Sequence, residues 1–94
     1  MARIVWSAAA RDNLRRIVSY IRADAPAYAR AFALRLGARV TQLESSPESG
    51  RFVPEDLSQT YRELIFGNYR IVYRHSASTV TIVTVIHGAR ILRL

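Results

Sequence analysis

Residues 61–74 read Tyr-Arg-Glu-Leu-Ile-Phe-Gly-Asn-Tyr-Arg-Ile-Val-Tyr-Arg, and the fold turns on this stretch. Two runs rich in Tyr, Ile, Val and Phe flank Gly67 and Asn68, a pair suited to a two-residue hairpin loop. With that loop, Phe66 faces Tyr69, Leu64 faces Ile71 and Arg62 faces Tyr73 on one side of the ribbon, a side apolar enough to meet a core. The opposite side carries Tyr61, Glu63 and Ile65 beside Arg70, Val72 and Arg74. Glu63 then lies diagonally between two arginines.

Downstream, Thr79 to Ile86 is another Val-, Ile- and Thr-rich run, so strands are predicted over 61–66, 69–75 and 79–86. Upstream, the Ser, Pro and Gly of residues 45–51 separate these strands from a helical region. The spacing of Ala29, Phe32, Ala33, Leu36, Val40 and Leu43 predicts a helix from Pro26 to about Glu44, in which Gly37 is expected to let a neighbouring helix approach. Asp24, Ala25 and Pro26 form a break, because proline suits a first helical turn and disfavours helical geometry in the residue before it. Ahead of it, Ala10, Leu14, Ile17, Val18 and Ile21 define the apolar stripe of a first helix, capped by Ser7, with Arg11, Arg15, Arg16 and Arg22 mostly on the other side. Arg3 to Trp6 reads as a short first strand. The expected fold is α+β, one domain over residues 1–94: an N-terminal strand, a helical hairpin, then a three-stranded antiparallel sheet.

The 94 residues suffice for one modest core. Half are hydrophobic and 22% are charged, the balance of a globular chain rather than a disordered one. Fourteen basic residues, all arginine, oppose seven acidic ones for a net charge of +7, so an anionic partner is expected: nucleic acid, an acidic protein segment or a membrane surface. Arginine recognises phosphate or carboxylate in bidentate fashion but does not give up its proton as a buried lysine can. Without cysteine there is no disulfide framework and no thiolate metal site. The N-terminus shows no tripartite leader and the chain no bilayer-length apolar run, so a cytoplasmic location and no membrane partner are expected.

Phosphate loops, paired metal-ligand spacings, the Gly-x-Ser-x-Gly elbow and HExxH are all absent. His75 and His87 stand alone, and a metal site needs at least three convergent groups, so no metal and no cofactor are expected. Glu63, Arg70 and Arg74 read equally as an anion site or as ordinary cross-strand stabilisation. Most tyrosines read as core. Tyr61 differs, because the hairpin register places it beside Arg70 and Arg74 where it could stack on a base.

Taken together, Trp6, Ala10, Leu14, Ile17, Tyr20, Ile21, Pro26 and Ala29, then Pro47, Gly50, Arg51, Val53 and Glu55, then residues 61–64 and 67–74 and finally His87-Gly88-Ala89-Arg90 resemble the ParE/RelE toxins of type II toxin–antitoxin systems, from Trp6 to Arg90. The resemblance implies the same α+β fold. It also implies a cognate antitoxin, usually a small ribbon-helix-helix DNA-binding protein whose acidic, apolar C-terminal segment wraps the toxin in a hetero-oligomer. RelE-like members cleave mRNA on the ribosome, whereas ParE-like members poison DNA gyrase.

By motif, Arg62, Arg70 and Arg90 match basic residues of RelE-like active sites, with Glu63 or His87 left to act as acid or base. RelE-like nucleases, however, carry a tyrosine after the position of Arg90, and this sequence has none there and no lysine anywhere. The His-Gly-Ala-Arg ending and the Arg-Glu-Leu strand are closer to ParE. The sequence therefore favours a non-enzymatic gyrase inhibitor, with ribosome-dependent mRNA cleavage as the alternative. Tyr61, Glu63, Arg70, Arg74, His87 and Arg90 are the expected target- or antitoxin-binding residues. Asn13 stands where ParE sequences often have an acidic residue.

Overall fold

A short parallel pair opens the chain: β1 (Arg3–Trp6) lies beside β5 (Thr79–His87), with Arg3 opposite Thr79 and Trp6 opposite Ile82. Between them run α1 (Ala8–Asp24), α2 (Pro26–Thr41), a single 3₁₀ turn (Gln42–Glu44), β2 (Arg51–Phe52), β3 (Arg62–Phe66) and β4 (Tyr69–Ser76). The strand order is β1-β5-β4-β3-β2. This computed structural model describes residues 1–93.

The α+β architecture agrees with the sequence reading, and the sheet is larger than expected. Its three antiparallel strands are there, with Phe66 opposite Tyr69, Leu64 opposite Ile71 and Arg62 opposite Tyr73. They are extended on one side by β1, which pairs parallel to β5, and on the other by the two-residue β2. Parallel pairing between distant segments has no local turn signal to reveal it. In the β3–β4 hairpin, Gly67 takes φ +57° while Asn68 does not have positive φ. Glycine at the first loop position with this sign pattern is the type II′ choice, whose twist matches the strands.

Both helices pack on one face of the sheet. The core joins Ala10 of α1 and Phe32, Leu36 and Val40 of α2 to Leu64, Ile71, Tyr73, Val80, Ile82 and Val85. Ser7 caps α1 by accepting the Ala10 amide proton at 3.0 Å, and its hydroxyl donates to the Val83 carbonyl at 3.0 Å. That second bond belongs to a bulge. Val72 faces Thr84 and Tyr73 faces Ile82, which leaves Val83 without a partner on β4. The extra residue lets Ile82 and Val85, three positions apart, both reach the core, where strict alternation would have put them on opposite faces.

Asn13 completes the junction. Its side-chain oxygen accepts from the Thr84 hydroxyl at 2.6 Å and from the Val85 amide at 3.2 Å, serving a strand edge that β1 is too short to cover. Gly37 corrects the expectation of a close helix contact: a Cβ built there would meet nothing within 4 Å. Gly50 is the tight position. A Cβ there would lie 2.7 Å from the Glu63 carbonyl oxygen and 2.7 Å from the Tyr73 hydroxyl, and the Gly50 amide donates to that hydroxyl at 2.9 Å.

Candidate functional site

On the sheet face away from the helices, β3 and β4 place Glu63 and Arg70 in diagonal positions, since Glu63 is opposite Val72 and Ile65 opposite Arg70. Strand alternation puts both on the same face. The segment after β2 folds back over this face, with Val53 buried, and lowers Glu55 onto it. Asp56 fixes the fold-back by accepting from the amides of Ser58, Thr60 and Tyr61. Its carboxyl is held below its ordinary pKa by the bond to Ser58 and these amides.

Four charged side chains converge there. Arg70 Nε donates to Glu63 Oε1 at 2.6 Å, and its two terminal nitrogens clasp Glu55 at 2.7 and 2.8 Å. Arg51 reaches the other oxygen of Glu63 through Nε at 2.7 Å and a terminal nitrogen at 2.6 Å. The Glu63 side chain is wholly buried and that of Arg70 is 7% exposed, so their charge-assisted bond is shielded from water, whereas Arg51 and Glu55 meet the solvent at the rim. The Glu55 carboxyl is lowered to about 2, chiefly by its bonds to Arg70 and then by the Leu92 amide. The Arg70 guanidinium is held more firmly protonated than usual, first by Glu55 and then by Glu63.

This cluster of two arginines and two glutamates is electrically neutral. Arg70 commits four of its five N–H donors to Glu63, Glu55 and the Arg90 carbonyl, the last at 3.2 Å, so the edge that would grip a phosphate in bidentate fashion is already held by a carboxylate. Glu63 has both oxygens engaged. Sequence reasoning set Glu63 between Arg70 and Arg74; the structure pairs it with Arg70 and with Arg51 from the neighbouring strand β2. Arg74 is exposed and makes no ion pair among the described residues. Arg51 and Glu55 were the partners missed as site residues, although both belong to the motif that carries the family resemblance.

Arg62 is also anchored, through one terminal nitrogen. It donates to the carbonyls of Glu48 and Gly50 at 3.1 and 2.9 Å and lies 4.1 Å from the Phe52 ring centre, fastening the loop before β2. Tyr61 is half-buried and its backbone pairs with Val53 and Asp56. His87 stands edge-on to Tyr69, with centroids 5.7 Å apart, and its Nδ1 accepts from the Ala89 amide at 3.1 Å. The structure thus brings Glu63, Arg70 and the Arg90 backbone together, and leaves Arg74 and the side chain of Arg90 outside the cluster.

An open depression lies over the cluster, lined by Arg51, Glu55, Ile65, Arg70 and His87, and two more open surfaces flank α1. Along α1, Trp6, Leu14 and Val18 form the floor of a groove rimmed by Arg11, Arg15 and Arg22. Between α1 and the uncovered half of β5, Arg16, Ile17 and Tyr20 face His87 and Arg90 across a cleft. No group of three His, Asp or Glu side chains that could hold a metal occurs among the described residues, and no helix is long and apolar enough to cross a membrane.

A search of curated protein sequences gives no match. Among solved structures, the chromosomal ParDE TA system from P. aeruginosa matches with a TM-score of 0.76 at 18% identity, covering 93% of this chain and 96% of that one; at that identity the likeness speaks for the fold. The model of the ParE toxin of type II toxin–antitoxin systems matches residues 4–92. With nearly its whole length matched by that model, the chain belongs to the ParE toxin family.

Proposed function

We infer that this toxin acts on DNA gyrase, without cleaving RNA, and is neutralised by a cognate antitoxin. The observation that carries the reading is the occupation of Arg62 and Arg70. Cleavage by 2′-hydroxyl attack needs cations turned toward the scissile phosphate and a base able to take a proton. Two of the three candidate cations are bound to internal acceptors, and Glu63 is locked between two guanidinium groups. His87 and the Arg90 side chain do not make up that set.

Incubation of the purified protein with gyrase and relaxed or supercoiled plasmid tests the target. Inhibited supercoiling with trapped cleaved DNA is the expected result. Normal supercoiling at every toxin ratio contradicts the proposal.

The α1 groove suits the antitoxin. An apolar floor under three arginines complements a segment that is both acidic and apolar, and the surplus of seven positive charges favours its capture. A ribbon-helix-helix protein with such a C-terminal tail is the expected partner in the hetero-oligomer, formed in the cytoplasm. Substituting Leu14 and Val18 by Asp is expected to weaken antitoxin binding in calorimetry, and unchanged affinity would place the antitoxin elsewhere.

A further inference from the structure

Past the end of β5, residues 89–93 run Ala-Arg-Ile-Leu-Arg and form neither helix nor strand. The backbone is nonetheless tied down at four points. The Ala89 amide donates to His87 Nδ1 at 3.1 Å and the Arg90 amide to the His87 carbonyl at 3.0 Å. Arg70 donates to the Arg90 carbonyl at 3.2 Å, and the Leu92 amide donates to Glu55 at 2.9 Å. The outer two tethers rest on the side chains that also clasp each other, Glu55 and Arg70.

The side chains of this segment take little part in the core. Only Leu92 is half-buried; Arg90 and Arg93 are exposed, and Ile91 is 77% exposed between them. Ordering a backbone costs conformational entropy, and here that order is not matched by side-chain burial. It does hold an apolar side chain and two cations in a fixed outward arrangement, which lowers the ordering cost of binding a partner. The Arg90 side chain also lines the cleft with Arg16 and Tyr20 of α1, and Tyr20 is 80% exposed. Arginine and tyrosine, which share this cleft, are residues enriched at interface centres, and the exposed Ile91 follows Arg90 directly in the chain.

We propose that residues 89–93 are a preformed target-binding arm, with Ile91 as its anchor and Glu55 as the positioning residue that holds it, and that the arm docks on an acidic, partly apolar protein surface. Two exposed arginines on the arm, with Arg16 across the cleft from Arg90, supply the charge complementarity. Ile91 favours a protein, whose surface offers apolar pockets, over a nucleic acid, which an isoleucine enters only by wedging between base steps at the cost of unstacking them. The proposal rests on the gyrase reading and names the part of the toxin that makes the contact.

The experiment compares the wild-type chain with Ile91→Asp and Glu55→Ala in the gyrase supercoiling assay, with thermal melting and amide exchange at Leu92 measured in parallel. Ile91→Asp is expected to melt as the wild type and to need about tenfold more protein for half-inhibition, the loss typical of an interface anchor. Glu55→Ala is expected to speed exchange at Leu92 and to weaken inhibition about threefold to tenfold, as when a bound geometry loses its preorganisation. A folded Ile91→Asp variant that inhibits as well as the wild type overturns the arm and leaves the gyrase reading intact. A wild-type chain with no effect on gyrase overturns both. Binding to a short DNA duplex that is lost in an Arg90→Ala, Arg93→Ala double variant, with Ile91→Asp fully active, assigns the arm to DNA and also overturns the proposal.

Discussion

Arg70 and Glu55, fifteen residues apart, form a two-pronged ion pair with bonds of 2.7 and 2.8 Å. The pair ties three parts of the chain together: the β3–β4 hairpin, the segment folded over it, and the strap after β5. A guanidinium so enclosed by carboxylates is a structural joint.

Replacing Arg70 with Ala is therefore expected to act through stability. It leaves the buried Glu63 short of a partner and frees Glu55, a change worth about 3–5 kcal/mol where one half of a buried ion pair is removed. Urea unfolding measures it. A variant with wild-type stability and no toxicity would instead make Arg70 a residue of the functional surface.

Acid should weaken the same joint. The Glu55 carboxyl has its pKa lowered from 4.5 to about 2, so its contribution is complete above pH 4.5 and is lost as the pH falls toward 2. Between those values wild-type stability should fall more steeply with pH than that of Glu55→Gln, while at neutral pH the gap between the two stays constant. Parallel melting curves across the acid range would contradict this.

Two glycines predict opposite results. At Gly37 a Cβ meets no atom within 4 Å in the interior of α2, so Gly37→Ala should raise stability by about 0.5–1 kcal/mol through helix propensity and a less flexible unfolded chain. At Gly50 a Cβ would collide with backbone and with the Tyr73 ring and hydroxyl, so Gly50→Ala should lower it by about 1–3 kcal/mol. Thermal melting of both variants reads the contrast directly.

Tyr73 offers a separate check on the Gly50 junction. Its hydroxyl is pushed above the ordinary tyrosine pKa by burial and accepts the Gly50 amide proton. Tyr73→Phe leaves that amide without an acceptor, at a cost of about 1–3 kcal/mol. A neutral substitution would show that the loop shifts to satisfy Gly50 by other means.

Local chemistry made much of this legible in advance. The hairpin register, the Ser7 cap, the break at Pro26 and the apolar stripe of α2 each depend on residues close together in sequence. The parallel partnership of β1 with β5 depends on segments about 75 residues apart, and no local signal announces it. The bulge at Val83 was hidden because a Val- and Thr-rich run satisfies either face, and the register shift is set by what Ser7 and Asn13 can reach. At the site, alternation placed Glu63 and Arg70 together correctly. It did not choose which second arginine Glu63 would meet, because Arg51 arrives from a two-residue strand too short to show a period. Glu55 escaped notice as a site residue for a similar reason: it sits on an irregular segment, and only the three-dimensional fold-back gives it a partner.

The proposed action at gyrase, with messages left intact, is tested most directly by inducing the chain in cells without its antitoxin while following a DNA-damage reporter and the rate of protein synthesis together. The reporter is predicted to rise within the first minutes while protein synthesis continues. An immediate stop in protein synthesis, with transcripts cut and the reporter silent, would contradict the account and return the function to the ribosome.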